Sequence, residues 1–280
     1  MARIFVVFMI LISAFAVAAA QIAPSSITIT WLGQSTFVMS TSTGLKVLLD
    51  PTNPGAYNPA PVDGVDVITV SHEHGDHNYI QMATGTPLLI RGLTQDGFAK
   101  IDQTIKGVHI RTVPAYHDSE SGGQRGRNAL FVFEMPGLRI AHLGDLGHRL
   151  DPEQVTAVGP VDILMTPIAG GPTIDPKTAV DVINQLQAKV VIPMHYSTPA
   201  VAARIAARSG AGGQAGRAGA PPTGGAPARA PAGRGPSMVG VDEFLAVLDP
   251  SIKVEQAAHQ ITLESGKLPA QRTIMVMKYQ

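Results

Sequence analysis

Short apolar runs punctuated by Gly, Ser and Pro dominate the first two thirds of the chain. ITITW (27–31) and TFVMS (36–40) are separated by LGQS, and LKVLLD (45–50) follows the turn STSTG. This pattern predicts short strands joined by tight turns. VDVITV (65–70) is apolar almost throughout, as a strand buried on both faces would be. After a weakly patterned middle segment, KGVHIRTV (106–113), ALFVFEM (129–135), LRIAHLG (138–144), VDILMTP (161–167) and KVVIP (189–193) predict further strands. Asp175-Pro176 caps and starts a helix, PKTAVDVINQLQ, with Ala179, Val180, Ile183 and Leu186 along one face. VDEFLAVL (241–248) predicts an amphipathic helix and RTIMVMK (272–278) a closing strand. Strands interleaved with helices indicate a layered α/β domain.

Two stretches break the pattern. Residues 1–20 read as an export signal, with an uncleaved membrane anchor as the alternative: Arg3 is the positive end, Ile4 to Val17 the apolar stretch, and Ala18-Ala19-Ala20 fits the small-residue cleavage rule before Gln21. Residues 208–237 are almost entirely Gly, Ala, Pro and Arg, too poor in apolar side chains to offset their ordering entropy. They read as a disordered insertion in a surface loop, with a basic arm for a polyanion or partner as the functional alternative. The expected organisation is therefore a signal at 1–20, a core at 21–207, the insertion at 208–237, and a helix and strand at 238–280 that complete the core.

Composition narrows the chemistry. Hydrophobic residues make up 45% of 280 and charged residues 15%, enough to bury a full core. Lys plus Arg equal Asp plus Glu at 21 each, so no global field recruits nucleic acid. The chain has no cysteine, which excludes disulfides, a thiolate nucleophile and thiolate metal ligands. Any metal must be held by nitrogen and oxygen.

SHEHGDHN (71–78) follows the buried run 65–70 directly and packs His72, His74, Asp76 and His77 into six positions. In an extended segment residues two apart share a side, so His72 and His74 can grip one ion together. Gly75 lets the backbone turn, so Asp76 and His77 can face a second ion. Paired metals need further ligands from elsewhere in the chain. His117 in VPAYHD, Asp145 in LGDLGH and His195 in PMHYST all stand at the exits of predicted strands.

HEHGDH matches the H-x-H-x-D-H signature of the metallo-β-lactamase superfamily, and the three later motifs fall in its order. The leading ITWLGQSTFVMSTSTGLKVLLDP and the block TPIAGGPTIDPKTAVDVINQLQAKVVIPMHYST resemble the branch of ascorbate-phosphate lactonase-like hydrolases. The resemblance covers residues 27 to about 200 and the terminal helix and strand. It implies a four-layer αββα sandwich with metals at one edge. It also implies that His72, His74 and His117 bind a first metal, that Asp76, His77 and His195 bind a second, and that Asp145 bridges both. Gln34 departs from the pattern, since several relatives carry histidine there. An all-nitrogen-and-oxygen set suits two divalent ions, zinc first, with manganese or iron as competitors.

The expected function is that of an exported, periplasmic or secreted, metal-dependent hydrolase. A metal-bridging hydroxide would attack an ester, lactone or phosphodiester of a small molecule, with Asp76 as proton acceptor. The alternatives are a β-lactam-hydrolysing enzyme and a non-catalytic metal-binding or interaction module. No nucleic acid and no stable membrane insertion after signal cleavage are expected. Arg125 and Arg127 in SGGQRGRN are candidates for an anion clamp beside the ordinary reading of a solvated loop. His148 is a candidate substrate contact or support for the site, whereas His109, His142 and His259 read as structural or surface histidines. Gly170-Gly171 would let the backbone approach the metal edge.

Overall fold

A computed structural model describes residues 24–55, 57–199, 201–203 and 238–279. The expected signal and the Gly/Ala/Pro/Arg-rich insertion lie outside the described residues. Fourteen strands among the described residues form two mixed sheets. The first sheet contains β1 (Ser26–Gly33), β2 (Thr36–Thr41), β3 (Lys46–Leu49), β4 (Val67–Val70) and β5 (Leu88–Arg91), with β13 (Gln260–Glu264) on the free edge of β1. The second runs β12 (Lys253–Ala257), β14 (Thr273–Met277), β11 (Val190–Met194), β10 (Ile163–Pro167), β9 (Leu138–His142), β8 (Arg127–Met135), β7 (Val108–Tyr116) and β6 (Asp102–Ile105).

The period-2 alternation of the first sheet sorts its side chains cleanly. Ile27, Ile29, Trp31, Phe37, Met39, Val47, Leu49 and Val67 face the core shared with the second sheet. Val38, Leu48, Ile68 and Val70 face outward, where Met82, Tyr79, Ile80 and Ala83 cover them. That outer cover is a loop with one 3-10 turn at Ile80–Met82. The α-helices lie instead with the second sheet: α1 (Pro152–Val158) meets β7, α2 (Pro176–Gln185) meets β10, and α3 (Val241–Leu245) packs on α2. Among the described residues the αββα sandwich is therefore unequal, with the outer face of the first sheet covered by a loop. Each large apolar side chain so enclosed contributes about 1.5–3 kcal/mol.

Several elements outside the sequence expectation have local causes. α1 carries a capping box, in which the Asp151 side chain accepts from Gln154 N and the Gln154 side chain from Asp151 N. β6 turns into β7 at Lys106-Gly107, both at positive φ. The C-terminal region supplies three strands rather than one: β13 joins the first sheet, and β12 and β14 extend the second. The chain ends of the fold are thus tied together, with Ser26 opposite Glu264.

Strand direction places the site. β3 and β4 are parallel, β9, β10 and β11 are parallel, and β7 runs the same way as β9 because β8 lies antiparallel between them. The residues following β3, β4, β7, β9 and β11 are carried to one edge of the sandwich.

Candidate metal centre

Seven side chains converge at that edge. His72 and His77 follow β4, His117 follows β7, Asp145 follows β9 and His195 follows β11. His72, His74 and His117 form one group of mutually close ligand atoms, and Asp76, His77 and His195 form another. Asp145 lies between them. Its Oδ2 is 3.1 Å from His117 Nε2 and 3.2 Å from His195 Nε2, and its Oδ1 is 3.1 Å from His77 Nε2. His72 Nε2 is 3.8 Å from Asp145 Oδ2 and 3.1 Å from His74 Nδ1. The structure thus brings together every residue singled out for the metals. His74 is exposed at the rim, Asp76 is half-buried, and the other five are buried.

A residue the sequence reading passed over organises this set. Asp50, fully buried after β3, accepts a hydrogen bond from Ser71 N at 2.8 Å. Its Oδ2 also accepts from the Ser71 hydroxyl and lies 2.9 Å from His77 Nδ1. A carboxylate is acceptor-only, so His77 must carry its proton on Nδ1, leaving Nε2 aimed at the centre. The Ser71 hydroxyl gives its one proton to Asp50 and so accepts from His72 Nδ1 at 3.0 Å. His72 is thereby fixed in the same tautomer. One carboxylate orients two imidazoles, one directly and one through a hydroxyl. The signal for Asp50 was present in LKVLLD, a carboxylate ending an otherwise buried apolar strand.

The electrostatics follow from burial and charge. Burial and the neighbouring His77 hold His72 down at about 2, so it is a neutral donor. Burial opposes a charge on His77, but the Asp145 and Asp50 carboxylates outweigh it and keep the imidazole well above its ordinary value. Burial likewise pushes Asp145 up, while His195 and His77 hold it well below the usual carboxylate range. His77 Nε2 and Asp145 Oδ1 are buried and face each other at 3.1 Å without an aligned hydrogen bond. Five imidazoles and two carboxylates whose ligand atoms converge on one buried edge fit divalent cations.

The surroundings hold the loops in place. Gln34, at φ 51°, donates from Nε2 to Asp76 Oδ2 at 3.0 Å, and its carbonyl accepts from Trp31 Nε1 and His195 N. Asp50 and His195 also sit at positive φ, 42° and 55°. Three non-glycine residues in this sparsely populated region meet at one edge, as strained residues do at functional sites. His142 is packed, lying 2.9 Å from Ser35 O through Nε2. His148 turns away from the cavity: its Nε2 accepts from Tyr116 N at 3.1 Å and its Nδ1 lies 2.7 Å from Arg149 O. His109 bridges Asp102 and Glu134 on the far side of the second sheet.

A cavity of about 430 Å³ opens over the centre, lined by Gln34, His74, Asp76, His117, Asp145 and His195. Its outer wall is Arg125, Gly171, Pro172 and Met238. Gly170 and Gly171 are both at φ 65°, and Gly171 brings the segment after β10 to the cavity.

Comparison with known proteins agrees with this geometry. Residues 28–195 match the Beta-lactamase superfamily domain. A UPF0173 metal-dependent hydrolase of Thermococcus onnurineus is 33% identical over 180 residues, covering 56% of this chain and 80% of the relative. One from Nitratidesulfovibrio vulgaris is 35% identical over 198 residues, covering 61% and 80%. A Thermotoga maritima structure described as a Zn-dependent hydrolase of the metallo-β-lactamase superfamily superposes with a TM-score of 0.62 at 30% identity, covering 91% of this chain and all of the other. A Parabacteroides distasonis structure at 20% identity and TM-score 0.51 shares the fold, covering 66% of this chain and 90% of its own.

Proposed function

This chain belongs to the metallo-β-lactamase superfamily, among its UPF0173 metal-dependent hydrolases, and we propose that it hydrolyses an ester, lactone or phosphodiester of a small molecule at a two-metal centre. The observation that carries the reading is the convergence of His72, His74, His117, Asp76, His77 and His195 around Asp145. His72, His74 and His117 would hold one ion, Asp76, His77 and His195 the other, and Asp145 both. Zinc suits this donor set best, with manganese and iron as competitors. When bound, such ions acidify water and polarise a substrate oxygen.

The chain's own residues do the rest. Asp50 keeps His72 and His77 in the tautomer that presents Nε2 to the centre. Asp76 is the one carboxylate of the set that is part-exposed to the cavity, and the Gln34 amide holds one of its oxygens. Its other oxygen can accept a proton from the attacking water. The buried His117 and His195 flank Asp145 and keep it ionised.

Export belongs to the same reading and rests on Arg3, the apolar stretch to Val17 and the Ala18-Ala19-Ala20 site. Among the described residues no helix is long and apolar enough to cross a membrane. The test is metal analysis of the purified protein together with turnover of lactone, phosphodiester, carboxylate ester and lactam panels before and after chelation. Turnover that is insensitive to chelation and re-addition of zinc or manganese would overturn the proposal. Amino-terminal sequencing of the exported form should begin at Gln21.

A further inference from the structure

We propose that Arg125 is an anion clamp, so that the substrate carries a carboxylate or phosphate group close to its scissile bond. This rests on the hydrolase reading and adds the substrate's charge to it. Among the described residues Arg125 is the only Lys or Arg lining the cavity that the metal-site side chains share. Arg91, Arg111, Arg139 and Arg149 each pair with a carboxylate, whereas Arg125 has no ion-pair partner among the described residues. Its only side-chain hydrogen bond there runs from Nη1 to Gly171 O at 3.5 Å, across to the facing lip. A guanidinium has five donors in a planar fork, so most of its capacity is open to a ligand.

The loop that presents it is built for position. The Asp118 carboxylate accepts four backbone N–H groups: Glu120 and Gly122 on Oδ1 at 2.8 and 2.9 Å, Gln124 and Arg125 on Oδ2 at 2.9 and 2.6 Å. Asp118 directly follows His117, so the loop carrying the cation is anchored next to the metal site. Arg127, the other candidate, starts β8, is exposed and lies over the Phe98 ring, outside the cavity. One cavity of about 430 Å³ is lined by both Arg125 and the metal-site side chains, so an anion on Arg125 and a scissile bond at the centre can belong to one molecule.

The test compares 4-nitrophenyl hemisuccinate with neutral 4-nitrophenyl butyrate on the metal-loaded full chain. Wild type should favour the hemisuccinate. Arg125→Gln keeps its backbone N–H to Asp118 and should lower the hemisuccinate-to-butyrate ratio of kcat/KM about 10- to 100-fold, the span of a charge-assisted hydrogen bond. Arg125→Lys should recover part of it, and Arg127→Gln should leave it unmoved. A second readout is phenylglyoxal labelling mapped by mass spectrometry, in which succinate should protect Arg125 and not Arg127. A ratio that Arg125→Gln leaves unchanged, or that Arg127→Gln lowers as much, overturns the clamp. If neither ester turns over, ester hydrolysis fails while labelling still decides the clamp: protection of Arg125 supports it, and its absence refutes it.

Discussion

Asp50 Oδ2 stands 2.9 Å from His77 Nδ1 with both side chains fully buried. Burial alone would raise the Asp50 pKa, but the hydrogen bond from His77 and the nearby His142 hold it below its ordinary value. Asp50→Asn keeps the shape and removes the charge that fixes the imidazoles. Metal affinity by competition with a chromophoric chelator should weaken about 10- to 100-fold, as for loss of a partner behind a ligating histidine. Unchanged affinity would mean that His72 and His77 are oriented by packing alone.

Metal content gives the next test. Close to two equivalents per chain are expected after mild purification, falling sharply in the variant carrying both His72→Ala and His74→Ala. Chelation should lower the melting temperature as well, because ligand at 1,000 times its Kd stabilises by about 4 kcal/mol. A wild-type chain that stays metal-free in zinc-supplemented buffer, with its melting temperature unmoved, would sink the metal centre.

Asp145 and Asp76 separate ligation from proton transfer. Asp145→Ala removes the carboxylate shared by both ligand groups and should release at least one ion. Asp76→Asn retains an oxygen for coordination but cannot accept a proton. At saturating metal its kcat should fall by about 10²–10⁴ with occupancy largely kept. Near wild-type turnover with both ions bound would remove the proton-acceptor role from Asp76.

Gly147 should not accept a side chain. An added Cβ would lie 2.3 Å from Asp118 N and from the His117 carbonyl carbon, both backbone atoms that cannot swing aside. Gly147→Ala should cost about 1–3 kcal/mol in denaturant unfolding, as overpacking does. Because the strain falls on His117, metal affinity should drop with it. A variant with wild-type stability would show that the two segments can part freely.

A pH-dependent pair lies far from the centre. Hydrogen bonds to Asp102 and Glu134 raise the pKa of His109. Burial pushes Glu134 up, but Arg111 and His109 hold it down at about 2. A raised histidine contributes stability below its unfolded value of about 6.5 and loses it as the pH rises through the folded value. The stability difference between wild type and His109→Gln should therefore be largest near pH 6 and shrink toward pH 8. The side chain is 35% exposed, so the effect should stay under about 1 kcal/mol. A difference that grows with pH would contradict the pairing.

Much of the centre is legible in the sequence because its ligands are local. HEHGDH sits within six positions after a buried run, and His117, Asp145 and His195 each close an apolar strand whose period reads directly. Those runs determine a layered α/β fold by burial alone, whichever partner each strand takes. Weak patterning hid β6 and β12, because exposed strands such as DQTI and KVEQA carry little apolar signal, whereas β5 (LLIR) and β13 (QITLE) are short runs among turn residues. α1 was missed although its Asp151-x-x-Gln154 box was in view.

What only the tertiary structure decided is direction and long-range pairing. Ser26 meets Glu264 across most of the chain, and no local pattern encodes that register. Asp50 becomes the orienting carboxylate only because β3 and β4 are parallel neighbours, which sets Ser71 and His77 beside it. Arg125 in the loop and Arg127 at the start of β8 stand two apart, yet one lines the cavity and the other covers Phe98. The four hydrogen bonds of Asp118 shape the loop that separates them. Residue type and spacing determine which groups can bind a cation, but where a side chain points depends on contacts from strands distant in the chain.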